Sequence, residues 1–452
     1  MSKLQFTVNA QQVVREWPRI ELYQNSTLRY TPPKDFSAYW QQQICRPKII
    51  RTWVTLDEIW NCLTDEYDWN YQIGVDKLGE KRYYPYDWPK TRPSETHFED
   101  YLTTFCAMAD EAMLNIRRFE RELTDGIMEF AKYEEVVENV IEHCVELCPN
   151  IVYIEASNEP HGKSFGKLTI PEYMPIYDAI CRVVGRLNRK HGWNLKVGGN
   201  AMVNHFFFNN GWHDYMKALS EDTCPDLRID FYSMHIYNTD HNALNQMYNI
   251  HHADVVKYGL PDVPVFFDEY GTQQCSEEPI ENLMNASGIL TGMMRASDLA
   301  NFHIFPWCTF HNPVLQMSYT QFIRLPEGGY APTANGHAMK MLSNMLKDEV
   351  IVRGDTSYRV RATKDGSRMY IIVTNPVDEA QQVNFAVTQL EGVKAKISIS
   401  QVDEKNNNAV MNPPCMKLEP TNVSEAVIVE GEIGISLELP RYGFAGIEIE
   451  VE

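Results

Sequence analysis

Two glutamates stand at the ends of short apolar runs. One run is Ile151-Val-Tyr-Ile-Glu-Ala-Ser-Asn158-Glu159-Pro160, and the other is Val263-Pro-Val-Phe-Phe-Asp-Glu269-Tyr270-Gly271. Each reads as a β-strand that ends in a carboxylate and breaks at a proline or glycine. A charged carboxylate beside a buried strand is costly unless it faces a cleft. Either segment alone has an ordinary reading, a turn for Asn-Glu-Pro and a surface glutamate for the other. Together they suggest two catalytic carboxylates at the strand ends of an α/β barrel. Glycosidic bond cleavage is the reaction that needs such a pair. Glu159 is then the expected acid/base and Glu269 the expected nucleophile. Asn158 is placed to donate a hydrogen bond to the sugar 2-hydroxyl, a bond that strengthens in an oxocarbenium-like transition state.

Three other strands add candidates. In Ile229-Asp-Phe-Tyr-Ser-Met-His235-Ile-Tyr237, alternation puts His235 and Tyr237 on one face and Ile236 on the other. In a barrel that face is the pocket. Tyr237 is expected to hold the nucleophile, and His235 to contact the acid or the sugar. Arg51 and Trp53 share a face of Lys48-Ile-Ile-Arg51-Thr-Trp53-Val54. Arg51 is expected to orient the Glu269 carboxylate through a charge-assisted bond. Trp307 ends the run Asn301-Phe-His-Ile-Phe-Pro-Trp307 as an aromatic floor under the sugar. Trp193, Trp212, His205 and Phe206 to Phe208 are weaker candidates, equally explained as loop packing.

These strands alternate with helix-like segments from about residue 20 to 345, the pattern of parallel βα units. Helices are expected near 98–112, 133–147, 171–191 and 280–299, with one more between 238 and 263. Strands are expected near 20–23, 48–54, 113–119, 151–156, 194–199, 229–237, 263–269 and 301–307. The 133–147 segment carries Val136, Val137, Val140, Ile141, Cys144 and Val145 at helical period, and Pro149 stops it. If the Ile151 strand is the fourth, the Val263 strand is the seventh, as expected of a (β/α)8 TIM barrel over residues 16–345. Thr55 to Thr96 reads as an elaborated loop on the active face. From residue 346 to 452 the pattern turns to strands, with a hairpin signal at Asp365-Gly366 and alternation at Ile433, Ile435, Leu437 and Leu439. This is expected to be a β-sandwich, joined by an N-terminal strand within residues 1–15. The fold class is therefore α/β, a TIM barrel with a C-terminal all-β domain.

A chain of 452 residues with 44% hydrophobic residues can build both. Its formal net charge of -20 argues against nucleic acid or an anionic membrane as partner, since both need a basic surface. No run of 18 apolar residues occurs, so no membrane helix is expected. The ten cysteines form no Cys-x-x-Cys and read as reduced thiols, mostly core. The first residues lack an apolar signal core. A cytoplasmic protein is expected, or a secreted or periplasmic one if a leader has been removed. No metal or other cofactor is expected. The early strands have no His-x-His, the chain has no His-Glu-x-x-His, and His251-His252 are adjacent on a helix and point apart. A carbohydrate substrate is the expected partner, and a homo-oligomer is left open.

The combined pattern resembles the clan A retaining glycoside hydrolases. Their barrels carry Asn-Glu after the fourth strand and a glutamate nucleophile after the seventh. Asn158-Glu159-Pro160 and Phe267-Asp-Glu269 match these. His235-Ile-Tyr237, Arg51 and Trp307 match the clan's sixth-, second- and eighth-strand residues. Within the clan the chain is most similar to family 39, the β-xylosidase and α-L-iduronidase group. It departs from that family at Ser157, where a tryptophan is common, and at Trp53, where a histidine is usual. The resemblance implies a retaining glycosidase acting on a plant or algal oligo- or polysaccharide, with β-xylosides first. An agarase- or porphyranase-type or uronide-specific enzyme of the same clan is the alternative. A non-catalytic carbohydrate-binding barrel is a further one.

Overall fold

One βα unit explains the rest of the barrel. Helix Phe130–Leu147 buries Val136, Val137, Val140, Ile141, Cys144 and Val145 on a single face. Its polar side presents Glu134 and Glu138, which take Arg182 and Arg186 of the next helix at 2.7–2.8 Å. Strand Ile151–Ala156 then enters the sheet, and helix Ile170–His191 follows, started by a Thr169–Glu172 capping box. The computed structural model describes residues 2–26, 34–73, 96–162, 165–272, 278–310, 318–325, 327–412 and 415–452.

Eight strands make the parallel sheet: Tyr23–Asn25, Ile49–Thr55, Glu111–Arg117, Ile151–Ala156, Lys196–Val203, Phe231–Tyr237, Val265–Gly271 and Phe302–Pro306. They are called the first to eighth barrel strands below. Each pairs with its neighbour in chain order. The last meets the first through the Tyr23–His303 ring stack at 4.1 Å and the Thr309 N–H bond to the Asn25 carbonyl at 2.9 Å. The fold is a (β/α)8 barrel. Tyr23, Ile49, Met113, Tyr153, Phe231, Phe266 and Phe305 fill its interior below the site, as a packed floor.

Some expected boundaries move. Ile20–Leu22 is a single 3-10 turn, and the first strand begins only at Tyr23. Helix Phe98–Cys106 is shorter than its apolar run. Ala109 and Ala112 continue that run yet belong to the turn and the third strand, because Asp110 and Glu111 bond back to the Pro47 and Lys48 carbonyls. The third strand ends at Arg117, since Arg118 and Phe119 take left-handed conformations. The fifth runs on to Val203. Of the long segment after Thr55, residues 74–95 lie outside the described residues. The rest forms helix Leu56–Ile59 and a small hairpin, Trp60–Asn61 with Glu66–Tyr67.

The remaining strands form one nine-stranded sheet. Its order is Asn422–Val427, Lys394–Val402, Phe444–Val451, Arg368–Thr374, Val360–Asp365, Asp348–Arg353, Ser2–Glu16, Gln381–Thr388 and Ile433–Leu439. The N-terminal strand joins two parts of it, pairing parallel with Gln381–Thr388 and antiparallel with Asp348–Arg353. Register shifts between Val8, Val13 and Arg15 bend it. One face of these strands is buried with no helix over it, so the sheet folds over upon itself as a sandwich. Phe6, Val373, Phe385, Ile397, Ile435 and Ile447 meet in that interior. Tyr370, Ile372, Val402 and Phe444 point the other way and join the barrel core. Arg15 and Arg361 clamp the junction through Glu349 and Asp298.

Among the described residues no helix is long and apolar enough to cross a membrane. Nine described cysteines are free thiols. Five of them are buried, whereas Cys62 is exposed, and Cys275 lies outside the described residues.

Candidate active site

Arg51 is the hub. It lies on the second barrel strand with no solvent exposure. Its guanidinium bonds Glu155 Oε2 at 2.7 Å, Glu269 Oε1 at 2.9 Å and Asn158 Oδ1 at 2.9 Å, and it stands 3.4 Å from Asp268 Oδ2. Burial opposes its charge, but the three carboxylates together hold it protonated. The bond to Asn158 takes the amide oxygen and leaves Nδ2 as the outward donor.

Glu269 receives a second bond at 2.5 Å from the Tyr237 hydroxyl on Oε2. His235 lies between the two glutamates, with Nδ1 2.7 Å from Glu159 Oε1 and 3.5 Å from Glu269 Oε2. One oxygen of Glu159, one of Glu269 and a His235 ring nitrogen all lie within 4.8 Å of one another. Burial alone would lower the His235 pKa. The Glu269 charge and the bonds to Asp268 and Glu159 raise it to about 10. The ring is an imidazolium at neutral pH, donates from Nδ1 to Glu159 and stands with Nε2 3.4 Å from Asp268.

Local backbone explains how these groups converge. Both neighbours of the seventh strand lose register between Phe267 and Tyr270. In a regular strand Asp268 and Glu269 would face opposite ways. The bulge lets both reach Arg51. At the fourth strand, Ser157 (φ 71) and Glu159 (φ 46) adopt left-handed conformations, which turn Asn158 and Glu159 over the barrel mouth. Such strain in non-glycine residues costs roughly 1–3 kcal/mol each and clusters at functional sites.

Three site residues lie beneath those the strand ends suggest. Glu155 and Asp268 have no exposure, and Asn115 donates to Glu155 at 2.7 Å and to the Ser157 carbonyl at 2.8 Å. Glu155 Oε1 and both Asp268 oxygens receive no hydrogen bond from a protein donor among the described residues. The Asp268 charge favours a proton on Glu155. Burial, and then the Asp268 charge, push Glu155 up to about 8 against the pull of Arg51. Burial opposes ionisation of Asp268, but the Arg51 charge, with His235 close by, holds it below its ordinary value. Alternation from Glu155 would have placed it on the same inward face as Ser157. Asp268 is masked in sequence because only the bulge turns it inward.

The proton held on Glu155 has a consequence for stability. Folded Glu155 keeps its proton from about 4.5 to about 8, where an unfolded chain has lost it, so stability falls as pH rises through that window. His235 adds a decline between 6.5 and about 10. The urea midpoint is expected to drop from neutral to mildly alkaline pH. In Asp268→Asn the drop should be shallower, because the charge that holds the proton on Glu155 is gone. Equal slopes in the two proteins would rule out Asp268 as the charge that holds this proton.

Trp53 and Trp307 line the same mouth. Their rings meet edge-on at 5.9 Å, and Arg51 lies 4.0 Å over Trp53. The weaker aromatic candidates do not converge there. Trp212 is fully buried among Phe207, Tyr215, Tyr232 and His251. Trp193 stacks on His191 at the far end of helix Ile170–His191. Phe207 is buried, whereas His205 and Phe208 are exposed. Phe206 stacks at 4.2 Å on His161, which holds the loop after Glu159 through the Leu168 carbonyl. Ser157, at the position where tryptophan is common, bonds Glu120 at 2.7 Å.

No protein-family model matches the sequence, and no curated protein matches it by sequence. Solved structures do match its fold. A GH39 enzyme from Xanthomonas axonopodis pv. citri superposes with a TM-score of 0.69 at 14% identity, covering 100% of this chain and 98% of that one. A monomeric beta-xylosidase from Caulobacter crescentus CB15 gives 0.66 at 14%, over 99% of both chains. A bacterial orthologue of human α-L-iduronidase gives 0.65 at 14%, over 100% of this chain and 84% of its own. Over its whole length, barrel and β-sheet together, this chain has the fold of those glycoside hydrolases.

Proposed function

We propose that this protein is a retaining glycoside hydrolase that works by double displacement. The observation that carries the reading is the spacing of Glu159 and Glu269, with an oxygen of each within 4.8 Å. Retaining enzymes hold their carboxyls about 5–5.5 Å apart, whereas inverting ones leave about 6.5–9.5 Å for a water. The fold likeness to glycosidases supports the same class.

The charges support the assignment of roles. Four carboxyls (Glu155, Glu159, Asp268 and Glu269) surround two cations, Arg51 and His235. Burial and the Asp268 charge keep a proton on Glu155. The acid role calls for another on Glu159. His235 donates to Glu159 Oε1, which leaves Oε2 to carry the proton toward the glycosidic oxygen. Glu269, fixed by Arg51 and Tyr237, attacks the anomeric carbon as the leaving oxygen takes that proton. Glu159 then removes a proton from water, which releases the sugar from Glu269. Asn158 Nδ2 faces the 2-hydroxyl, and Trp53 and Trp307 bracket the ring. Glu159, His235 and Glu269 converge closely enough to suggest a metal site. A protonated His235 beside Arg51 repels a cation, so the hydrolytic reading is favoured.

The test is a panel of aryl glycosides and plant and algal oligosaccharides, β-xylosides first, with the initial product anomer read by NMR. Retention supports double displacement, and inversion would defeat it. Binding without turnover would move the protein to the carbohydrate-binding barrels. Glu159→Gln should slow substrates with poor leaving groups by roughly 10²–10⁴-fold. Dinitrophenyl glycosides, which leave without a proton, should keep most of their rate of glycosyl-enzyme formation. An equal loss on both would remove Glu159 from the acid role.

A further inference from the structure

The third barrel strand carries a cation that the mechanism above does not use. Arg117 is in register with Thr55 of the second strand and lies one alternation above Asn115, whose side chain points inward to Glu155. The Arg117 guanidinium therefore faces the barrel mouth. It lies 5.2 Å over Trp53, the ring that Arg51 covers at 4.0 Å. Arg117 is only 9% exposed, yet its hydrogen bonds are two long contacts of 3.4 Å to the single hydroxyl of Thr55.

A buried guanidinium normally meets a carboxylate or several acceptors. Three carboxylates stand near this one without bonding it. Asp57 lies 3.7 Å from Arg118, and Glu120 accepts from Ser157. Glu58 acts on Arg117 through its charge alone. Burial, and then the Arg118 charge, outweigh these anions and leave Arg117 lowered to about 10. The Trp53 indole N–H is likewise buried and has no acceptor among the described residues. The Thr55 hydroxyl is thus the one acceptor that the described residues offer to these two neighbouring donors. Arg118 and Phe119, both left-handed, hold this strand end in place.

We propose that Arg117, with the Trp53 indole N–H, is a binding subsite for an anionic substituent, a carboxylate or a sulfate ester, on the sugar held at Glu159 and Glu269. Both groups supply several acceptor oxygens and a charge, and a planar guanidinium can bond either one through two parallel N–H donors. A neutral hydroxyl leaves the charge unpaired. The inference rests on the glycosidase reading and names the specificity-determining residue for it.

The experiment compares matched aryl glycosides: xyloside and galactoside against glucuronide and galactoside 6-sulfate. Each is measured with wild type, Arg117→Gln and Arg117→Lys. Thermal melts with glucuronic acid, galactose 6-sulfate, xylose and galactose are run in parallel. One anionic arm is expected to exceed its neutral counterpart, and which arm does so names the substituent. Arg117→Gln should cut that preference in kcat/KM by roughly 10–100-fold, as loss of a charged hydrogen bond implies. Arg117→Lys should recover part of it, and serves as the variant if the glutamine protein does not fold. Turnover of neutral glycosides with no anionic preference would overturn the subsite and leave the glycosidase standing. An Arg117-dependent melt shift with an anionic sugar, but no turnover of anything, would support the subsite and count against the glycosidase. No anionic preference and no such shift would overturn the subsite outright.

Discussion

Glu269→Gln is expected to lose roughly ten-thousand-fold or more in kcat on any glycoside the wild type cleaves, a loss of the size seen when a nucleophile is removed. The amide is nearly isosteric: its oxygen can still accept from Arg51, and its NH2 can donate to the Tyr237 oxygen, so the protein should fold. It cannot form the ester to the anomeric carbon. Glu269→Gly separates this role from a merely structural one. With sodium azide it should make the glycosyl azide of inverted configuration, because azide enters from the side that Glu269 vacates. A Glu269→Gln protein with even a tenth of wild-type turnover would remove this residue as nucleophile, whatever its contacts.

Arg51→Met should be the most damaging substitution for stability. It takes the one guanidinium that the described residues offer to Glu155, Asp268 and Glu269, two of which have no exposure. Breaking a buried ion pair by removing one partner costs about 3–5 kcal/mol, since the charges left behind stay buried. Such a loss would be a large share of the stability of an ordinary protein. The urea midpoint should fall accordingly. Arg51→Met with Asp268→Asn should recover part of the loss, because one of the abandoned charges is then gone. A single mutant with an unchanged midpoint would mean that the cluster draws its neutrality from protons and not from Arg51.

Periodicity made the barrel readable. The Phe130–Leu147 helix and the Ile151 strand follow from a 3.6-residue stripe, a proline stop and an apolar run, all local. The same locality put Arg51 with Trp53, and His235 with Tyr237, on shared faces. It failed where tertiary contacts decide. Strand 113–119 slid to Glu111–Arg117 because its register is set by the neighbouring strand at Lys48. Trp212 read as a loop aromatic, and only packing made it core.

By itself the sequence determined the order of strands and helices and the two glutamates at strand ends, because those depend on residues close along the chain. Only the tertiary structure decided that Asp268 turns inward beside Glu269, that Glu155 keeps its proton, and that Arg117 lies under-bonded over Trp53. A bulge needs a neighbouring strand to be out of step with, a held proton needs a carboxyl forced out of water beside another charge, and an unmet charge is defined by what surrounds it. None of these conditions can be written along one strand.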